Sequence, residues 1–213
     1  MRLVARFAQR VVGLMSWLAE LVAGSAGVKS SRVARDLRIA AGMSCADEML
    51  AVAASRRNEL AAPGLGARPR RRVAVVTCMD ARIDLFLLFG LARGDAHIVR
   101  NAGGLVTDDV VRSLSASQRL LGTNEVVVVM HDGCGLHGAS EDQFVEDLAA
   151  DGATTSWRLG AFEDLEKTLR DGLARLRSSR ELPVRDQIRG FVFDPESGVL
   201  RDVDDGPAVE HLT

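Results

Sequence analysis

The chain contains no tyrosine, and only two tryptophans and seven phenylalanines among its 213 residues. An aromatic-rich core is therefore excluded, and the interior has to be built from Leu, Val, Ala and Ile. Cysteine is scarce as well: Cys45, Cys78 and Cys134 cannot make a complete disulfide framework. Free or metal-bound thiols in an intracellular, cytoplasmic chain are the expectation that follows. Lys and Arg nearly balance Asp and Glu, leaving a formal net charge of −2, which argues against a general nucleic-acid surface. No apolar stretch reaches the length of a membrane span. No internal repeat is evident. The length suits one domain with a full core.

Residues 1–42 form a segment of different character. Val11 to Ala23 is largely apolar, follows Arg2, Arg6 and Arg10, and leads into Gly24-Ser25-Ala26-Gly27. That order resembles a secretory signal, but Glu20 interrupts the apolar run. Helical spacing also fits, with Leu3, Phe7, Val11, Leu14, Leu18 and Leu21 on one face and the arginines on another. The favoured reading is an N-terminal extension over 1–42, amphipathic or poorly ordered, ahead of a single domain over 43–213.

What is present is a pair of clusters at the ends of two apolar runs. Cys78-Met79-Asp80-Ala81-Arg82 follows Val73-Ala74-Val75-Val76-Thr77, and His131-Asp132-Gly133-Cys134 follows Val126-Val127-Val128-Val129-Met130. Short, continuous, β-branched runs suit strands buried on both faces of a parallel sheet. Ligands in open α/β sheets collect beyond the carboxyl ends of the strands, so both clusters are expected on one rim. Thiolate, imidazole and carboxylate are the ligand types of a zinc site, and a catalytic site keeps one position exchangeable.

The rest of the chain alternates between helix and strand patterns. Ala46 to Leu60 has helical spacing, and Ala61–Gly66 is a breaker-rich loop. Arg68 and Arg70-Arg71-Arg72 read as a solvated edge. A short helix is expected over Ile83–Leu91, a strand over His97–Val99, and a glycine loop at Asn101–Gly104. There the glycines permit either a tight turn or close approach of main chain to a ligand. Thr107 or Asp108 caps a helix that runs to Leu121 and stops at Gly122. A strand over Glu125–Met130 follows. Ser140 and Gln143 have the pattern of a capping box, and Ala161–Arg177 is a longer amphipathic helix. Arg189–Asp194 and Val199–Val203 flank a turn and read as a hairpin. The predicted class is α/β: a mainly parallel central sheet flanked by helices, with an antiparallel edge strand from the C-terminal hairpin.

The order CMDAR, RNAGG at Arg100–Gly104, and H-x-x-C at His131–Cys134 resembles the β-class carbonic anhydrases. The stretch Thr107–Thr123 is similar to their short bacterial branch, and Met43 followed by Ser44-Cys45-Ala46-Asp47 looks like a natural start there. The resemblance spans about Ala46 to Val203. It implies that Cys78, His131 and Cys134 bind Zn2+ and that Asp80 and Arg82 form a catalytic dyad, with Asp80 able to fill the fourth metal position. It also implies a homodimer or a higher homo-oligomer, with carbon dioxide and bicarbonate as the small-molecule substrates. Gly133 departs from the acidic or polar residue the family often has there.

Two thiolates and one imidazole neutralise zinc, so bound water is acidified less than by three histidines. Asp80 would either close the site or turn to Arg82, whose guanidinium holds a carboxylate by two parallel bonds. In the open state Asp80 accepts a hydrogen bond from zinc-bound hydroxide. His137 is read as a solvated loop residue, with proton relay or metal competition as alternatives. His97 and His211 are read as structural or solvent-facing, and Cys45 as a free or buried thiol. Rival readings are a hydrolase of carbonyl sulfide or carbon disulfide and a non-catalytic zinc-binding regulator. A thiol redox protein is disfavoured by the lack of C-x-x-C.

Overall fold

A computed structural model describes residues 44–203. The chain divides into two compact units after Gly64. In the described part of the first, Ser44 caps helix α1 (Cys45–Ser55), accepting from the Asp47 amide at 3.2 Å, while the Asp47 carboxylate accepts from the Ser44 amide at 3.0 Å. This reciprocal capping box stabilises the first turn. The single helix expected to Leu60 instead breaks at Arg56, and α2 (Arg57–Leu60) follows. Ser55 Oγ donates back to the Val52 carbonyl at 2.8 Å, a bond that competes with the helical ladder. Neither helix buries a residue.

The second unit is built on five strands: β1 (Val73–Cys78), β2 (Ala96–Asn101), β3 (Glu125–His131), β4 (Ile188–Phe193) and β5 (Leu200–Asp202). Their order is β2-β1-β3-β4-β5, parallel throughout except for the β4–β5 hairpin. This is the sheet predicted, with the antiparallel edge where the hairpin signal placed it. Consecutive residues of β1 and of β3 are buried, so both faces of these strands are covered, which is why their sequence does not alternate.

Among the described residues of this unit there are four α-helices, with a 3-10 turn at Ala102–Gly104. Asp84 caps α3 (Leu85–Phe89), accepting from the Phe86 and Leu87 amides at 3.0 and 3.1 Å, and Gly90 ends it. The helix is therefore shorter than Ile83–Leu91. Thr107 caps α4 (Asp108–Leu121), and Gly122, at φ 73°, terminates it. Ser140 caps α5 (Glu141–Ala150) by accepting from the Gln143 amide at 3.1 Å. The Gln143 side chain does not return the bond; it donates to Asp147 Oδ1 at 3.0 Å, one turn on.

Helix α6 (Leu165–Ser178) begins four residues later than expected, because Asp164 caps it and Phe162 pairs instead with His137 in a parallel bridge. Its buried stripe of Leu165, Leu169, Leu173 and Leu176 packs on β3 and β4, and α4 packs on β1 and β2. Leu114, Met130, Val76 and Val128 complete an aliphatic core. Among the described residues, no helix is long and apolar enough to cross a membrane.

Candidate metal centre

Strands β1 and β3 are parallel neighbours, with Thr77 opposite Val129, so their carboxyl ends open on the same rim. Cys78 is the last residue of β1, His131 the last of β3, and Cys134 lies in the turn beyond. The two sulfurs and a ring nitrogen of His131 all lie within 4.8 Å of one another, and the sulfurs are 4.0 Å apart. The residues are 4%, 1% and 6% exposed in the order Cys78, His131, Cys134.

His131 Nδ1 lies 2.9 Å from the Asp132 carbonyl. Donation there places the proton on Nδ1 and leaves the Nε2 lone pair facing inward. That Nε2 is the one buried side-chain nitrogen or oxygen among the described residues without a hydrogen-bond partner. A buried, unpartnered polar atom costs free energy unless something satisfies it. The donor set suits zinc: a tetrahedral ion about 2.3 Å from each sulfur would hold the sulfurs roughly 3.8 Å apart. Burial, and the nearby Cys78 sulfur, push the Cys134 thiol up. Two thiolates 4.0 Å apart would repel each other, and a cation between them would offset that charge.

Asp80 and Arg82 stand beside this group in a different relation. Arg82 Nε donates to Asp80 Oδ1 at 3.0 Å and Nη2 to Oδ2 at 2.8 Å, the two-pronged geometry of a guanidinium on a carboxylate. The Arg82 amide adds a third bond to Oδ1 at 2.9 Å. The side-chain bonds first, and the amide second, hold the Asp80 carboxyl well below the usual carboxylate range. Oδ2 lies 3.8 Å from His131 Nε2, and Asp80 is not one of the three converging donors. The pairing arises from a turn at 81–82, closed by the Ile83 amide on the Asp80 carbonyl at 3.2 Å.

Arg82 Nη2 also donates to the Gly133 carbonyl at 3.0 Å, which links the two motifs. Gly133 has φ 64°, a conformation that L side chains rarely adopt. A Cβ there would sit 3.8 Å from both terminal nitrogens of Arg82. An acidic side chain at this position would stand beside the guanidinium that holds Asp80. Glycine leaves Arg82 to Asp80.

The glycine loop has a structural part that the sequence left open. A Cβ on Gly104, at φ 67°, would lie 2.9 Å from the Cys78 amide nitrogen and 3.1 Å from the Val129 carbonyl oxygen. The close approach is thus to the strand ends that carry the site. Asn101 closes the loop, donating to the Leu105 carbonyl at 2.8 Å and accepting from its amide at 2.9 Å. Arg100 had no assigned role in the sequence, and its side chain reaches the carbonyls of Cys78 and Asp80. Only its place in the RNAGG run signalled it.

The remaining candidates lie elsewhere. His137 is exposed, has Nε2 2.9 Å from the Glu163 carbonyl and stacks on Phe162; it does not join the donor group. His97 bridges Ser117 Oγ at 2.7 Å and the Ala67 carbonyl at 2.9 Å, a structural tie. Cys45 is an exposed free thiol. His211 and the extension over 1–42 fall outside the described residues.

Residues 73–197 match the family model described as carbonic anhydrase. The chain is 39% identical over 136 residues to beta-carbonic anhydrase 1 of Mycobacterium tuberculosis, covering 63% of this chain and 83% of that one. It is also 37% identical over 156 residues to a carbon disulfide hydrolase of Saccharolobus solfataricus, covering 62% and 76%. Among solved structures, a carbonic anhydrase from Streptococcus mutans superposes with a TM-score of 0.71 at 38% identity, covering 76% of this chain and 99% of that one. The chain belongs to the carbonic anhydrase family. Within it, sheet topology and relatives together place it in the β class.

Proposed function

We propose that this protein catalyses the reversible hydration of carbon dioxide to bicarbonate and a proton, with zinc held by Cys78, His131 and Cys134. The observation that carries the reading is the unpartnered, buried His131 Nε2 facing two buried sulfurs beside an Asp80 carboxylate locked on Arg82. When bound, zinc supplies a Lewis acid that makes water a usable nucleophile near neutral pH.

The chain's own groups do the rest. Arg82 keeps Asp80 ionised and turned aside from the three donors, so the carboxylate would not compete with water for a zinc held there. Asp80 then accepts a hydrogen bond from the reacting water and directs that water's lone pair toward the carbon of carbon dioxide. The Gly133 carbonyl accepts from Arg82 and so ties the dyad to the second motif. Bicarbonate leaves, and the proton passes to solvent.

The resemblance to carbon disulfide hydrolases favours one second reading, in which carbon disulfide and two waters give carbon dioxide and two hydrogen sulfide. Stopped-flow carbon dioxide hydration and sulfide release, measured on the same zinc-loaded sample, separate the two. Hydration without sulfide is expected; sulfide release without hydration would replace the assignment.

We further infer a cytoplasmic homodimer or higher homo-oligomer. The free thiols support the compartment, and exposed apolar side chains such as Leu87, 83% exposed, and Phe86 support self-association. The domain is proposed to run over 43–213. A chain begun at Met43 is expected to keep zinc, hydration activity and oligomeric state by sedimentation, since the family match starts at residue 73. An insoluble or inactive product beside an active full chain would make residues 1–42 part of the fold.

A further inference from the structure

Arg100 lies on β2, the edge strand, opposite Thr77. Its Nε donates to the Cys78 carbonyl at 2.9 Å and its Nη2 to the Asp80 carbonyl at 2.7 Å. One guanidinium thus holds the main-chain carbonyls on either side of Met79. The first belongs to the residue whose sulfur faces His131, the second to the residue whose carboxylate is held by Arg82.

The segment is also held at its far end, where the Ile83 amide donates to the Asp80 carbonyl at 3.2 Å and Arg82 holds the Asp80 carboxylate. Strand β1 ends at Cys78, so the sheet ladder does not fix residue 80. The Met79 amide donates to the Asn101 carbonyl at 2.8 Å, but its side chain is exposed and anchors nothing. Of these bonds, only the two from Arg100 tie the Cys78 and Asp80 carbonyls to one rigid group, so they help set the path from the Cys78 sulfur to the Asp80 carboxylate. A planar fork of donors can hold two carbonyls at a set separation, whereas a lysine ammonium is a single point donor on a flexible stem.

We propose that Arg100 is a positioning residue, fixing the Asp80 carboxylate relative to the Cys78 sulfur by clamping both carbonyls. It touches neither substrate nor reacting atoms and acts through Asp80. The proposal rests on the zinc-site reading above.

Arg100→Gln, Arg100→Lys, Asp80→Asn and the Asp80→Asn/Arg100→Gln double variant test it in the full-length protein. Each is assayed for zinc content and carbon dioxide hydration, and for the visible d–d spectrum after cobalt substitution. Arg100→Gln is expected to hold stoichiometric zinc while kcat falls about 10- to 100-fold, the range seen when groups supporting a metal site are removed. KM should stay within about two-fold, because the interaction lost serves the transition state. Arg100→Lys should fall between wild type and Arg100→Gln. The cobalt spectrum of Arg100→Gln should differ from wild type, and the double variant should match Asp80→Asn alone.

Wild-type kcat in Arg100→Gln, or an equal spectral change in the Asp80→Asn background, would overturn the role; the latter would mark Arg100 as structural only. If Arg100→Gln does not fold, Arg100→Lys decides: wild-type kcat and spectrum refute the clamp, and a lowered kcat with an altered spectrum supports it. A wild type lacking both zinc and hydration would refute the underlying site reading. An active, zinc-bound wild type beside an unchanged Arg100→Gln would refute only the clamp.

Discussion

Cys78→Ser and Cys134→Ser are each expected to lose zinc and hydration activity together, with rates falling to the uncatalysed background. The sulfurs are buried 4.0 Å apart and, with His131, make up the one group of three metal-type donors among the described residues, so losing either sulfur breaks it. A serine hydroxyl is close in size to a thiol but is not deprotonated near neutral pH, so it cannot supply the anionic donor zinc requires. Because the exchange is nearly isosteric, the fold should survive, and circular dichroism should show the sheet intact. Metal analysis of the purified variants gives the check. Stoichiometric zinc in both would refute the ligand assignment.

The second large effect separates activity from metal. Arg82→Ala removes both prongs that hold the Asp80 carboxylate, together with the bond to Gly133. Asp80 is then free to turn toward the metal position, which its Oδ2 already approaches to within 3.8 Å of His131 Nε2. Hydration should fall about 100-fold or more, the scale associated with a positioned proton-handling group, while zinc stays near one per chain. Asp80→Asn should give the same pattern for another reason: it keeps the shape of the side chain but loses the anionic acceptor. In the zinc-free variant, losing Arg82 also removes the main cause holding the Asp80 carboxyl low, so that pKa should rise toward the ordinary range. Activity retained by both variants would refute the dyad. Inactivity of the wild type at full zinc would favour a non-catalytic zinc protein.

Much of this site was legible in the sequence, for identifiable reasons. Val73–Thr77 and Val126–Met130 are continuous β-branched runs, a pattern tied to strands covered on both faces, so the strands and their shared rim followed directly. Thr107 and Gly122 bracket α4 because a capping hydroxyl and a left-handed glycine are local devices. What escaped depends on partners far away in sequence. The start of α6 moved to Leu165 because Phe162 pairs with His137, 25 residues earlier. The clamp of Arg100 on Cys78 and Asp80 joins residues 22 and 20 apart. The fit of Gly104 between the strand ends is a matter of a few tenths of an ångström. Spacing within a motif carries none of that information. The Asp80–Arg82 pair was recognised, but the turn at 81–82 that brings the two side chains together was not.

The most direct measurement is a zinc titration of chelator-stripped protein, followed by stopped-flow carbon dioxide hydration at each point. The expected result is no catalysis in the stripped protein and a rate that rises in proportion to added zinc, reaching a plateau at one zinc per chain. Catalysis that survives stripping, or full zinc binding with no hydration at any point, would contradict a zinc-held site at Cys78, His131 and Cys134 acting through Asp80 and Arg82.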